Sequence, residues 1–152
     1  MKKTFVALFI LVVLVSSSVC ANATTLNFLE VMTSPERTAL LKGMIAEYEA
    51  LNPGIKINLI SPPYEQSDQK ATLMLNTMQP LDVIEVRDYT VKQFVNNNKL
   101  IDLTQYFDDW SDADTLTGVA AIAARTVNDT PYLVPQSIFI KALFVRKDIL
   151  EA

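Results

Sequence analysis

Residues 25–59 read TLNFLEVMTSPERTALLKGMIAEYEALNPGIKINL, and this stretch decides the fold. Leu26, Phe28, Leu29 and Val31 place apolar side chains on both faces of Thr25 to Val31, the pattern of a strand in a covered parallel sheet. Thr33 and Glu36 have capping-box spacing and Pro35 suits a first helical turn. Leu40, Leu41, Met44, Ile45, Tyr48 and Leu51 then form one apolar stripe at helical spacing. Asn52-Pro53-Gly54 ends the helix, since Pro cannot continue it and Gly can take a left-handed turn. Ile55, Ile57 and Leu59 alternate with Lys56 and Asn58 as a half-exposed strand that Pro62-Pro63 closes.

Downstream the same rhythm repeats. Ala71, Met74, Leu75 and Met78 sit at helix spacing before Pro80; Leu81 to Val86 is a third strand; Val91, Phe94 and Val95 share one face of a shorter helix. Strand-helix units in a row predict an α/β fold with a parallel sheet and right-handed crossovers. Beyond Asn96-Asn97-Asn98 the pattern changes. Leu100 to Phe107 reads as irregular, Asp112 to Arg125 as a helix with Leu116, Val119, Ala120 and Ala123 inward, Asp129 to Pro135 as a turn and short strand, and Ser137 to Val145 as a long apolar strand interrupted by Lys141.

Upstream, Met1-Lys2-Lys3 is basic, Phe5 to Val15 is apolar without a break, and Ser16 to Ala23 is small and polar, the layout of a secretory signal peptide. The apolar run falls well short of the roughly 20 residues of a membrane-spanning helix. Ala21-Asn22-Ala23 fits the A-x-A preference, so cleavage is expected after Ala23. A second reading makes Cys20 a lipidated first residue, against Ser17 and Val19 at positions where such signals usually carry other residues. Cleavage at Ala23 removes two of the 13 basic residues, so the net charge of -4 becomes -6. The exported chain would be acidic and free of cysteine, indifferent to an oxidising compartment.

Composition excludes whole classes of chemistry. The 152 residues include no His and one Cys, so a Ser-His-Asp triad, a Cys-His dyad, a His-ligated metal and an intramolecular disulfide are ruled out. Three Gly, at 43, 54 and 118, cannot build a phosphate-cradling loop, and no cofactor is expected. Without a Lys/Arg cluster a nucleic-acid surface is not expected. Asp108, Asp109, Asp112 and Asp114 fail the spacing of a calcium loop and read as a solvated helix start capped by Ser111 or Asp112. Asp82, Glu85 and Asp88 offer a carboxylate set for a glycoside-acting enzyme, the alternative function.

Ligands of parallel sheets sit outside the carboxyl ends of the strands. Those ends carry Met32-Thr33-Ser34, Ser61 to Gln66, and Arg87-Asp88-Tyr89. The last group joins a guanidinium and a carboxylate, which bond vicinal hydroxyls, to an aromatic ring that covers an apolar sugar face. The competing reading is a helix start, with Asp88 or Thr90 as cap and Tyr89 as a hydrophobic staple.

Five short pieces then fall in order: Tyr48-Glu49-Ala50-Leu51-Asn52-Pro53-Gly54-Ile55-Lys56-Ile57, Leu81-Asp82-Val83-Ile84-Glu85-Val86, Leu100-Ile101-Asp102-Leu103-Thr104, Tyr132-Leu133-Val134-Pro135 and Val145-Arg146-Lys147-Asp148-Ile149-Leu150. In this order, behind a signal peptide, they resemble the N-terminal part of family 1 extracellular solute-binding proteins, the maltose-binding-protein-like, sugar-binding components of ABC importers. The resemblance implies a periplasmic-binding-protein-like fold (type II) of two lobes that close on a sugar and present it to membrane permease subunits, with no catalytic residue. It implies a monomer, exported to the periplasm or cell exterior. Thr33 and Ser34 match a first-lobe contact region, Arg87, Asp88 and Tyr89 the loop after the third strand, and Gln136, Ser137 and Phe139 the passage toward the second lobe. The implied division is a signal peptide over 1–23, a partial first lobe over 24–135, and a crossover over 136–152 into a second lobe that is largely missing. A chain truncated in this way is expected to bind sugar weakly or not at all. A relative that signals to a membrane receptor instead of feeding a transporter shares every feature quoted.

Two positions depart from the family pattern. Thr77-Met78-Gln79-Pro80 lacks the Gly often found before Pro-Asp, and Phe144-Val145-Arg146-Lys147 stands where Tyr-Asn-Lys is usual, so no contact is carried over there.

Overall fold

Strand β1 (Thr24–Leu29) lies at the centre of a three-stranded parallel sheet, between β2 (Ile55–Ile60) and β3 (Val83–Ile84). The computed structural model describes residues 23–116, 118–125, 127–137, 139 and 142–150, so the signal segment before Ala23, with Cys20, falls outside what is described. The chain divides into two units, Met1–Glu85 and Val86–Ala152. No helix among the described residues is long and apolar enough to cross a membrane.

In the first unit the register runs from Thr24↔Ile55 to Leu29↔Ile60 on one side of β1, and through Phe28↔Val83 and Leu29↔Ile84 on the other. The expected third strand is shorter than Leu81 to Val86, although Asp82 N–H to Asn27 O at 3.0 Å and Glu85 N–H to Leu29 O at 2.9 Å continue its ladder at both ends. As the central strand, β1 delivers three almost fully buried residues, Leu29, Glu30 and Val31, at and just beyond its end.

Helix α1 (Pro35–Leu51) starts one residue later than the capping box implied. Ser34, in extended backbone, accepts from the Arg37 N–H at 3.2 Å, and Pro35 occupies the first turn, where its missing N–H costs nothing. At the other end the Asn52 N–H and side-chain amide both donate to Tyr48 O, and Ile55 N–H closes the turn on Asn52 O. Gly54 therefore needs no left-handed conformation, and no glycine among the described residues has positive φ. Only Leu41 of the expected stripe is buried; Leu40, Met44, Tyr48 and Leu51 face outward.

Lys56 and Ile57 on β2 tie the helix to the sheet. The Glu49 carboxylate accepts from Lys56 Nζ and from the Ile57 N–H, each at 2.7 Å, and the Lys56 bond first, then the Ile57 bond, holds the Glu49 carboxyl below the usual carboxylate range. Because the folded pKa is depressed, the unfolded chain takes up the proton first. This contribution is full above the ordinary Glu range and is lost as pH falls through the lowered folded value. Urea midpoints at neutral pH and near roughly pH 3 are expected to differ less in Glu49→Gln than in the parent; an identical pH dependence would contradict the tie.

After a single 3-10 turn (Tyr64–Gln66), α2 (Ser67–Asn76) buries Ser67, Ala71 and Met74. It stops before Pro80 is reached: Met78 has φ 51° and Gln79 N–H reaches back to Met74 O at 3.0 Å, a Schellman closure. Helix α3 (Asp88–Asn96) of the second unit ends the same way, with Asn98 at φ 53° and Lys99 N–H on Phe94 O. Asn tolerates that region and Met does not. Since the Met78 side chain is 87% exposed, little packing is lost on its removal. Met78→Gly is expected to stabilise by about 1 kcal/mol, read as a higher denaturation midpoint; a lower one would show that the turn is set otherwise.

In the second unit, Val91, Phe94 and Val95 are buried on one face of α3 as the spacing predicted, and Val91 and Val95 pack with Val127, Val86, Leu100, Tyr132 and Leu133. Two expectations are corrected here. The segment thought irregular contains α4 (Thr104–Asp109), started by Asp102, whose Oδ1 accepts from the Thr104 hydroxyl at 2.6 Å and the Thr104 N–H at 2.7 Å. These two bonds, the hydroxyl first, hold the Asp102 carboxyl below the usual range. The single helix expected over Asp112 to Arg125 is instead a 3-10 turn (Ala113–Thr115) and α5 (Gly118–Ala124), separated by Leu116 in extended backbone at ψ 132°. The acidic run thus flanks a 3-10 turn, with Asp112 as a cap that makes no side-chain bond.

Asn128 and Asp129, both at positive φ, turn the chain between Val127 and Thr130, which form an isolated antiparallel bridge in place of the short strand. Between Ser137 and Val145 the described residues are irregular, and Phe144 is 94% exposed. The expected strand is not formed by the described residues of this segment, while Ile138, Ile140 and Lys141 lie outside the described residues. A short helix, α6 (Lys147–Leu150), ends the described chain.

Candidate functional site

The carboxyl ends of the three strands converge on one buried ion network that the sequence reading missed. Glu30, one residue past β1 and 0% exposed, accepts from Arg37 Nη1 at 2.9 Å, from the Thr38 hydroxyl at 2.8 Å and from the Ser61 hydroxyl, just past β2, at 2.8 Å. Glu85, just past β3, accepts from Arg37 Nη2 at 2.6 Å and Nη1 at 3.2 Å, a forked pairing, and its Oε2 also takes the N–H groups of Val31 and Met32 at 2.8 and 2.9 Å. Arg37 Nη1 further reaches Met32 O at 3.3 Å. One guanidinium therefore joins two carboxylates and a loop carbonyl, and every strand end contributes a residue.

The network fixes the loop that carries Thr33 and Ser34. Ser34 Oγ serves as the cap of α1, as described above, and Thr33 Oγ1 is buried without a hydrogen-bond partner among the described residues. A lone acid closing an apolar strand was the available signal for Glu30. Pairing Arg37 with Glu85, 48 positions away, was beyond any local pattern.

In the second unit the structure brings Arg87, Asp88 and Tyr89 together at the start of α3. Arg87 is the helix cap residue in extended backbone and makes no side-chain cap bond; its Nη1 donates to the Tyr89 hydroxyl at 2.8 Å. Asp88 Oδ1 accepts from the Tyr89 N–H at 2.9 Å. Thr90, the other candidate cap, donates its hydroxyl to Arg87 O. The side chain of Tyr89 is 65% exposed, which excludes the staple role and leaves an aromatic face in solvent beside a guanidinium and a carboxylate. Gln136, Ser137 and Phe139 lie in irregular backbone of the same unit and are exposed.

Two of the three carboxylates of the glycosidase alternative are committed to the framework. Asp82 Oδ2 accepts from the Asn27 N–H at 2.8 Å and its amide at 3.3 Å, pinning β3 to β1, and Glu85 belongs to the ion network.

Parallel strands alternating with helices place the chain in the α/β class, with the loops of the first unit at the carboxyl ends of its sheet. Residues 33–152 match the bacterial extracellular solute-binding protein family, and the chain belongs to it. No curated protein matches the chain. Among solved structures it is similar to the ABC substrate-binding protein Lmo0181 from Listeria monocytogenes in complex with cycloalternan, at a TM-score of 0.63 and 23% identity over 72% of this chain and 28% of that one. It is also similar to the GacH receptor of Streptomyces glaucescens, described unliganded and with acarbose and an acarbose homologue, at 0.66 and 18% over 75% and 29%. Each likeness establishes the fold, a partial periplasmic-binding-protein-like lobe, and the chain spans less than a third of either structure's length.

Proposed function

We propose that this chain supplies first-lobe contacts of an exported carbohydrate-binding protein that hands its ligand to an ABC permease. The observation that carries the reading is the Arg87, Asp88 and Tyr89 group, where an exposed ring stands beside a donor fork and an acceptor pair. Such a set bonds the hydroxyls of a sugar and covers its apolar face without reacting with it. Family membership and the oligosaccharides named for the two similar structures support the ligand class. Thr33 and Ser34 on the first unit, and Gln136, Ser137 and Phe139 on the second, are the further contacts in this reading. The signal peptide is removed after Ala23, Thr24 to Pro135 forms the lobe, and the protein acts as a monomer.

Binding by these residues alone is weak, because a chain of this span presents only part of the contacts of the longer proteins it resembles. Titration of the isotopically labelled chain with maltotriose is expected to shift the amide signals of Arg87, Asp88, Tyr89, Gln136 and Phe139 saturably, with half-saturation in the millimolar range, about 4 kcal/mol of binding free energy. Tyr89→Ala is expected to abolish the shifts. Unmoved amides at these positions would overturn the carbohydrate reading, and micromolar saturation would overturn the weak-binding part.

A further inference from the structure

The second unit also contains a cavity of about 360 Å³ that none of the residues assigned above lines. Its walls include Phe107, Trp110, Asp108, Asp114, Leu116 and Arg125, all from one short stretch of chain. Its volume lies within the usual range for small-molecule pockets.

We propose that this cavity is a second carbohydrate subsite with room for a pyranose ring, an inference that rests on the carbohydrate reading above. The flat wall is Trp110, 36% exposed, whose ring meets buried Phe107 edge to face at 5.8 Å and 78°. That contact fixes the indole plane. The Arg125 guanidinium stands 5.9 Å from the Phe107 centroid and makes one long bond, 3.4 Å, to Asp129 O, so most of its donors remain for a ligand. Asp108 and Asp114 have no hydrogen-bond or ion-pair partner among the described residues.

The mixture disfavours ligands that carry a single sign of charge or none of the groups that these walls can bond. An organic cation would satisfy the two carboxylates and leave Arg125 facing like charge; an anion would satisfy Arg125 and leave both carboxylates unpaired. A purely apolar guest would desolvate all three charged groups without return. A neutral ring with one apolar face and several hydroxyls meets every wall: its C–H face lies on Trp110, its hydroxyls donate to Asp108 and Asp114, and their oxygens accept from Arg125.

Trp110 is the only tryptophan in the chain, so its emission reports this cavity directly. Titrating the whole chain with methyl α-glucoside is expected to change Trp110 fluorescence saturably in the millimolar range. Choline chloride and sodium acetate are expected to give no saturable change. Asp114→Asn and Arg125→Gln, both at exposed positions where folding is not at stake, should each weaken the sugar response roughly tenfold, whereas Tyr89→Ala should leave it intact. A response that is unsaturable, that is matched by choline or acetate, or that is unchanged in both cavity variants would overturn the subsite. If maltotriose still shifts the Tyr89 amide while Trp110 stays silent, the subsite falls and the proposed function stands; silence at both positions removes both.

Discussion

Arg37→Met is expected to destabilise the first unit by about 3 kcal/mol or more, measured as a lower denaturant midpoint at unchanged slope. Met keeps much of the aliphatic bulk of Arg, so the loss isolates the guanidinium. Glu30 is fully buried and Glu85 is 12% exposed, while Arg37 keeps 27% of its side-chain surface in solvent. Taking away the cation leaves two carboxylates facing each other across a gap with only hydroxyl and N–H donors to oppose them. The cost is that of uncompensated buried charge, not of one lost bond. Glu85→Gln combined with Arg37→Met is therefore expected to be less damaging than the sum of the separate changes, because the second substitution removes part of the repulsion that the first exposes. Amide exchange at Val31 and Met32 should accelerate in Arg37→Met, since Glu85 is their acceptor and loses its anchor. A loss below about 1 kcal/mol, the figure for an exposed pair, would show that solvent screens these charges as it does an exposed ion pair.

That network marks the boundary of what a sequence reveals. Periodicity found β1, α1, β2 and the parallel character of the sheet, because alternation and helical spacing are local and strand-helix alternation implies parallel crossovers; the strand order, with β1 at the centre, came only with the structure. The face of α3 was legible for the same reason. Chain reversals were less so: the helix ends at Met78 and Asn98 depend on single left-handed residues, and Met is not a residue type that announces one. The nearby Pro80 drew attention to the wrong position. Helix α4 was hidden because six residues hold less than two turns of periodic signal, and its start depends on Asp102 bonding Thr104, a spacing shared with ordinary turns.

The candidate site divides along the same line. Arg87, Asp88 and Tyr89 are consecutive, so their juxtaposition needed only the strand end and helix start to be right. Glu30, Arg37, Ser61 and Glu85 are brought together by the sheet register, which places the ends of β1, β2 and β3 side by side. The register was not available before the structure. Long-range polar closure of this kind explains why Glu85, one of three acids considered for catalysis, is a framework residue.

Phe107→Ala is expected to cost about 3 kcal/mol in the second unit, and the cost should appear together with a red shift of native Trp110 emission. Phe107 is buried on a six-residue helix, a length at which helical structure is not self-sustaining and tertiary packing supplies the stability. Its ring also seats the Trp110 indole and lies under the Arg125 guanidinium, so truncation opens a cavity and frees two neighbours at once. Phe107→Leu keeps most of the volume and should lose about half as much or less, yet it removes the edge-to-face contact completely. The two variants therefore separate packing from ring geometry. If the indole plane is what a sugar ring lies on, Phe107→Leu remains folded by circular dichroism but loses the saturable fluorescence response to methyl α-glucoside, although Asp108, Asp114 and Arg125 are untouched. A Phe107→Leu protein that responds like the parent would show that hydroxyl bonding alone, without a fixed aromatic wall, accounts for recognition in that cavity.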